Sequence, residues 1–341
     1  MTSTDRTPIQ LSDGQRADGT ASDRALPDRT ITSLINELRQ QTEQRLGELT
    51  PGGPAPARLG DAMRYSLLAP AKRARAVLTQ LTAMHWGADP ARALSGAVAL
   101  EMVHASSLIL DDLPSMDDAT LRRGRATCHR VYGEDTSILA AIALMNRAFE
   151  VVATDDTLDA AARVRIVAVL ARSIGPDGLS GGQEGDLHTD PTGATVATVE
   201  WIHARKTGAL FAAATTIGSL VAGVDDANVA RMDEFGLRLG LGFQAYDDLL
   251  DVSAAADAIG KDVTRDGDKA TLVRLLGLDG ARANADAQMA AALACVPHLD
   301  QPPRYLARYV DALMATLKAP QDIGPVTDAA GVHRPAVTGA I

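Results

Sequence analysis

The chain has 341 residues, 46% hydrophobic and 22% charged, the composition of an ordinary soluble globular protein. Aromatics make up only 3% and alanine and leucine dominate the apolar set, which favours closely packed helices over a β-sandwich rich in Val, Ile, Tyr and Phe. The net charge of −10 argues against nucleic acid as the main partner, and two cysteines, Cys128 and Cys295, supply neither a disulfide framework nor a zinc site, so a cytoplasmic setting is expected.

Residues 1–28 are polar and aperiodic and are expected to form a disordered N-terminal tail rather than a secretory signal. Helical periodicity starts near Ile31 and stops at Pro51-Gly52-Gly53-Pro54. It resumes over 58–68, 73–86, 91–112, 134–153 and 158–173, then over 196–224 with a break, 227–252, 269–276, 281–294 and 303–317. From Pro320 the sequence is again polar and aperiodic, a flexible C-terminal tail over 320–341. No segment alternates as a strand should between hairpin turns, and no uninterrupted apolar run of about 18 residues suggests a membrane span. The expectation is one all-α domain over 29–319, a single-domain bundle of roughly ten or more helices around a central cavity.

Two acidic clusters lie on apolar backgrounds. Asp111 and Asp112 end an apolar helix, and Pro114 then bends the chain so that Asp117 and Asp118 can return toward them. Asp247 and Asp251 are four apart and share a helical face, with Asp248 beside them. Carboxylates crowded at a helix C-terminus oppose the dipole and repel one another, so a chain that tolerates this twice is expected to neutralise them with cations. Hard oxygen ligands of this kind suit Mg²⁺, which binds through one or two carboxylates plus substrate phosphates. Basic residues accompany the clusters: Lys72, Arg73 and Arg75, then Arg122, Arg123 and Arg125, then Lys206, Lys261 and Lys269. Arginine suits bidentate phosphate contact, and lysine supplies a compact charge. His104 lies two helical turns before Asp111 on the same face.

At these residues the chain resembles the trans-isoprenyl diphosphate synthases, the farnesyl and geranylgeranyl diphosphate synthase family. The resemblance runs from about Lys72 to Gly277. It rests on Glu101-Met-Val-His104, Asp111-Asp-Leu-Pro-Ser-Met-Asp117-Asp118, Leu121-Arg-Arg-Gly124, Gly182-Gln183 through Asp186, Lys206-Thr207-Gly208, Phe243-Gln244-x-x-Asp247-Asp248-x-x-Asp251, Gly260-Lys261-Asp262 and Asp268-Lys269-Ala270-Thr271-Leu272. The flanking Ser107-Leu-Ile-Leu110 and Ile138–Leu144 look most like bacterial geranylgeranyl synthases of carotenoid pathways. Two positions depart from the family pattern: Pro70-Ala71 replaces Gly-Gly before the basic motif, and Ala126 stands where proline is usual.

The resemblance implies a head-to-tail prenyl transfer assisted by Mg²⁺, in all three ions with bound diphosphate, held by Asp111, Asp117 and Asp247. It implies catalytic roles for Asp111, Asp112, Asp117, Arg122, Lys206, Asp247, Asp248 and Lys261. Isopentenyl diphosphate would be held by Lys72, Arg75, His104 and Arg123, and the allylic diphosphate by Arg122, Lys206, Thr207, Gln244 and Lys261. It also implies a homodimer. Product length in the family depends on the fourth and fifth residues before the first aspartate, here Ser107 and Ser106, both small. The floor would then lie deeper, at Met102 or Val103 or on the helix carrying Ile142 and Met145, favouring a C20 over a C15 product. A class I terpene cyclase and a silent partner subunit are the rival readings; the second basic cluster and the two intact acidic motifs speak against them.

Overall fold

The computed structural model describes residues 30–50, 56–257, 270–297 and 304–318, with one pair of two-residue strands at 326–327 and 333–334. The expected N-terminal tail, Lys261, Lys269 and most of 320–341 lie outside the described residues, as does the side chain of Asp251. Within them the chain folds into thirteen α-helices and almost no strand. These are α1 (Ile31–Leu49), α2 (Ala57–Leu67), α3 (Ala74–His85), α4 (Leu94–Asp111), α5 (Cys128–Tyr132), α6 (Glu134–Ala153) and α7 (Ala160–Ile174). After them come α8 (Leu179–His188), α9 (Val196–His203), α10 (Ala209–Ala222), α11 (Asp226–Asp257), α12 (Leu272–Cys295) and α13 (Tyr305–Lys318).

Helix α4 is the axis of the bundle. Fourteen of its residues are buried, from Ser95 to Ile109, and it packs against α6, α3 and α10. It is apolar all round because it is surrounded, as a core helix must be. Together with the turn before it, α4 is apolar enough over 90–111 to cross a membrane by length and composition, yet 78% of that stretch is buried inside the bundle. The same holds for α6, except that only 44% of it is buried. Small residues bring the helix backbones together. A Cβ added at Gly218 of α10 would stand 2.4 Å from the Thr79 carbonyl of α3, and one at Gly236 of α11 would stand 2.5 Å from the Phe211 carbonyl. Close packing of Ala- and Gly-rich helices is what the low aromatic content implied.

Four local features differ from the periodicity. The break expected within 196–224 is a π-helical turn, Ala204–Gly208, between α9 and α10. The short α5 and the glycine-rich α8 were not expected, since neither carries a long apolar stripe. Residues 121–126 form a tight hairpin, β1 (Leu121–Arg122) against β2 (Arg125–Ala126). Its loop residues Arg123 and Gly124 sit at φ 52° and 72°, the positive values that a two-residue turn of matching twist requires. The two helices expected over 269–294 are present, separated by Gly277 at φ 72°.

Candidate active site

The first acidic motif is shaped by the end of α4. The backbone N–H of Asp117 donates to the Asp111 carbonyl (2.9 Å), and the Ala119 N–H donates to that of Asp112 (3.2 Å). These bonds occupy carbonyls that the helix end leaves free and fold the chain back at Pro114, as the spacing suggested. Asp112 is only 3% exposed and accepts from Arg122 Nε at 2.7 Å. That pair ties the hairpin to α4. Burial pushes the Asp111 carboxyl up to about 6, opposed by Lys206 and reinforced by Asp117.

The second acidic motif lies on α11. Burial lifts both Asp247 and Asp248 to about 6; the neighbouring Asp248 charge adds to the first shift, and Lys72 opposes it. Gln244 donates to Asp248 (3.1 Å) and accepts from the Thr207 hydroxyl (2.7 Å), so α11 and the π turn are joined through one polar chain. In that turn Lys206 reaches Asp186 of α8 at 2.6 Å. The approach is possible because of Gly182, where a Cβ would meet the Lys206 backbone nitrogen at 2.3 Å.

The second basic group lines a cavity of about 210 Å³ at the start of α3, with Lys72, Arg75, His104 and Arg123 in its wall; it adjoins the space beside Asp112 and Arg122, and His104 and Arg123 line both. All four residues expected to hold isopentenyl diphosphate therefore meet in one place. Arg75 is 5% exposed and its guanidinium lies 4.9 Å from the centroid of the Phe211 ring; burial lowers its pKa to about 10. Burial and the surrounding arginines hold His104 well below the ordinary histidine range, so it is neutral, and its Nε2 is buried without a hydrogen-bond partner.

Ser106 is fully buried and donates to the Ala141 carbonyl of α6 (2.8 Å), while Ser107 donates back to His104 of its own helix (2.9 Å). At roughly 100° per residue, Ser107 lies about 40° from Asp111 around α4 and Ser106 about 140°. Met102 and Val103 are buried, but Ile142 is 51% exposed, so within one chain it forms no floor. Asp186 and Glu101 stand within the sequence motifs with no task assigned to them, and His203 stands in none of the motifs. That imidazole sits 3.6 Å from Asp248, with its pKa lowered by burial to about 4. Its place one helical turn before Lys206 is the signal that could have found it.

An all-α bundle that turns two buried acidic motifs toward clustered Lys and Arg is built to handle diphosphates. The polyprenyl synthetase family model matches residues 56–298. The farnesyl diphosphate synthase of Geobacillus stearothermophilus is 40% identical over 257 residues, 74% of this chain and 86% of that protein. A chloroplastic geranylgeranyl pyrophosphate synthase of Arabidopsis thaliana is 42% identical over 236 residues, 68% of each. Among solved structures, an FPP/GFPP synthase from Zymomonas mobilis superposes with a TM-score of 0.71 at 29% identity, covering 84% of this chain and 98% of that one. A geranyltransferase from Helicobacter pylori, complexed with magnesium and isoprenyl diphosphate, gives 0.71 at 28% identity, covering 85% and 98%. The chain belongs to the trans-isoprenyl diphosphate synthase family and is a prenyl transferase.

Proposed function

We propose that this enzyme condenses isopentenyl diphosphate head-to-tail with an allylic diphosphate of five to fifteen carbons and releases a linear C20 product, geranylgeranyl diphosphate. The observation that carries this reading is the pair of distinct basic sites. One, around Arg122 and Lys206, stands beside the acidic motifs; the other, around Lys72, Arg75, His104 and Arg123, lines the adjoining cavity at the start of α3. A cyclase that ionises a single diphosphate needs only the first.

Asp111, Asp117 and Asp247 fit a divalent cation. Burial lifts the Asp111 and Asp247 carboxyls to about 6, which makes them poorly solvated anions, and their oxygens together with those of Asp117 are the hard donors that Mg²⁺ prefers. Among the described residues no three acidic or imidazole groups form a ready-made cage, so Mg²⁺ there would need diphosphate oxygens as further ligands. Bound there, Mg²⁺ supplies charge that stabilises the departing diphosphate.

The chain's own residues do the rest. Arg122, held by Asp112, and Lys206, held by Asp186, orient the allylic diphosphate together with Thr207 and Gln244. Breaking the allylic C–O bond sends the electron pair to the leaving diphosphate. The double bond of isopentenyl diphosphate then bonds the allylic C1, and a proton leaves C2 to the released diphosphate. Neutral His104 offers its Nε2 to the second diphosphate, whose charge Lys72, Arg75 and Arg123 balance. The small Ser107, with Ser106, leaves room beneath the growing chain, so extension passes C15.

We also propose a homodimer. On α6, Ile138, Leu139 and Ile142 are 40, 56 and 51% exposed, and Val131 and Leu121 extend the same apolar character nearby. An apolar stripe of this kind on a long helix marks an interface.

The test is a product assay with purified protein, Mg²⁺, isopentenyl diphosphate and each starter of five, ten or fifteen carbons. A linear C20 diphosphate, abolished by EDTA, is expected. A C15 product would overturn the chain-length assignment, and cyclic hydrocarbons the reaction.

A further inference from the structure

The cavity at the start of α3 contains one charge of the wrong sign. Lys72, Arg73, Arg75 and Arg123 bring four cations to its wall, and Glu101 brings a carboxylate that is only 3% exposed. A carboxylate repels an incoming diphosphate, and the repulsion is stronger away from water. Its presence there calls for a compensating task.

The hydrogen bonds define one. One Glu101 oxygen accepts the Ala76 N–H in the first turn of α3 (3.3 Å), and the other lies 3.5 Å from Arg73 Nη1. Arg73 is 5% exposed, and its other terminal nitrogen donates to the carbonyls of Leu67 (2.8 Å) and Ala69 (3.1 Å). The backbone of Arg73 is at φ 52°, a left-handed conformation that a non-glycine residue adopts only when its surroundings impose it. The side chain that enforces the turn is thus Arg73's own, anchored at one end on α2 and at the other on α4. The turn immediately follows Pro70-Ala71, where backbone freedom is low, and it sets Lys72 on one side and Arg75 on the other. Two further contacts brace the same stretch. Tyr309 of α13 donates to the Ala74 carbonyl (3.0 Å), and Arg123 reaches the Pro70 carbonyl (3.5 Å). Glu101 also stands one helical turn before His104, so a single helix fixes both the clamp and the imidazole.

We propose that Glu101 and Arg73 are positioning residues for the isopentenyl diphosphate subsite: their buried pair holds the 68–76 segment in the conformation that aims Lys72 and Arg75 at the diphosphate beside His104 and Arg123, without either residue binding it. This rests on the assignment of that cavity to isopentenyl diphosphate. Burial supports the division of labour: both terminal nitrogens of Arg73 and both oxygens of Glu101 lie against protein partners, and Arg73 Nε, without a hydrogen bond, stands 3.7 Å from the Glu43 carboxylate, whereas His104 Nε2 has no protein partner.

Positioning and simple charge predict opposite signs. Glu101→Gln keeps the shape and an acceptor for Ala76 but abolishes the ion pair. A positioning role raises KM for isopentenyl diphosphate by ~tenfold, the loss of about one charge-assisted hydrogen bond, while kcat and the allylic KM stay within about twofold. Arg73→Lys keeps the charge but loses the fork to Leu67 and Ala69, and gives the same selective rise. The double variant Arg73→Lys/Glu101→Gln is then less than multiplicative, because both changes loosen the same turn. An unchanged or lowered KM for isopentenyl diphosphate in Glu101→Gln overturns the proposal, since removing an anion from an anion site would then be neutral or helpful. A parallel rise in both KM values with a lowered melting temperature overturns it as well, by showing general loosening. Lys72→Ala and Arg123→Ala serve as the separate arm: if neither raises KM for isopentenyl diphosphate, it is the assignment of the cavity that fails.

Discussion

Gly182→Ala probes the joint between α8 and the π turn with a single methyl group. In the structure that methyl would lie 2.3 Å from the Lys206 nitrogen and 2.8 Å from its Cα, where ordinary van der Waals contact begins near 3.4 Å. Both neighbours are backbone, so no rotamer change relieves the clash, and the two elements must part by about 1 Å. Gly182 and Asp186 are four apart on α8, so the same movement draws Asp186 away from the Lys206 ammonium it holds at 2.6 Å. A displacement of about 1 Å at a group that orients a reacting diphosphate costs ~100-fold in rate, or ~2.7 kcal/mol of transition-state stabilisation. The overpacking itself costs about 1–3 kcal/mol of stability. Steady-state kinetics with a varied allylic substrate, beside a thermal melt, measure both. Gly193→Ala is the control, because a Cβ there meets nothing within 4 Å. Full activity in Gly182→Ala would show that α8 and the π turn can separate without consequence, and the reasoning from close approach to catalysis would fall.

Ser107→Phe should shorten the product from C20 to C15, read by chromatography of the dephosphorylated alcohols; an unchanged product removes Ser107 from the floor. Ser106→Phe should do the same at an added stability cost of about 1–3 kcal/mol, since the hydroxyl is fully buried against Ala141. Asp111→Asn and Asp247→Asn should each lower kcat by ~10²-fold or more with the fold intact, and near-normal turnover in either would detach that carboxylate from the chemistry. His104 is held neutral by burial, with its pKa below the value of about 6.5 it takes when unfolded. The unfolded chain then binds the extra proton first, so His104 favours folding above pH 6.5 and loses that contribution as the pH falls through this value. His104→Asn should therefore lose less stability than the parent chain between pH 7.5 and 5.5 in urea titrations, and equal losses would contradict a buried neutral imidazole.

Much of this molecule can be read from residue order alone. The apolar stripes mark most of the helices, and α6 has the bounds its periodicity implies, because a helix that packs on the core must repeat its apolar residues at the helical period. The basic residues expected to meet, Lys72, Arg75, His104 and Arg123, do meet, although fifty residues separate the first from the last. What periodicity cannot convey is where a helix owes its existence to a neighbour. Helix α8 contains three glycines and little apolar surface, and it forms against α9 and the π turn rather than from its own preference. The π turn shows in the sequence only as a break in periodicity, because one residue inserted into a helical repeat blurs the stripe without giving the geometry. Glu101 illustrates the same limit: an acidic residue inside an apolar helix looks anomalous until Arg73 and the Ala76 N–H are found beside it.

Helix α4 carries Glu101, His104, Ser107 and Asp111 in under three turns, with Asp112 as its C-cap, so residues with quite different tasks share one rigid rod. Its register is fixed by neighbours as tight as Ile217, whose methyl group lies 2.4 Å from where a side chain at Gly96 would begin. The inheritance of such a protein is correspondingly entangled. A substitution that slides or rolls α4 retunes the grip on each diphosphate and the space for the product together, so changes along this helix act epistatically even where the side chains never touch. A lineage exploring new product lengths would find the route open mainly through the walls that face α4, and rarely through α4's own seating.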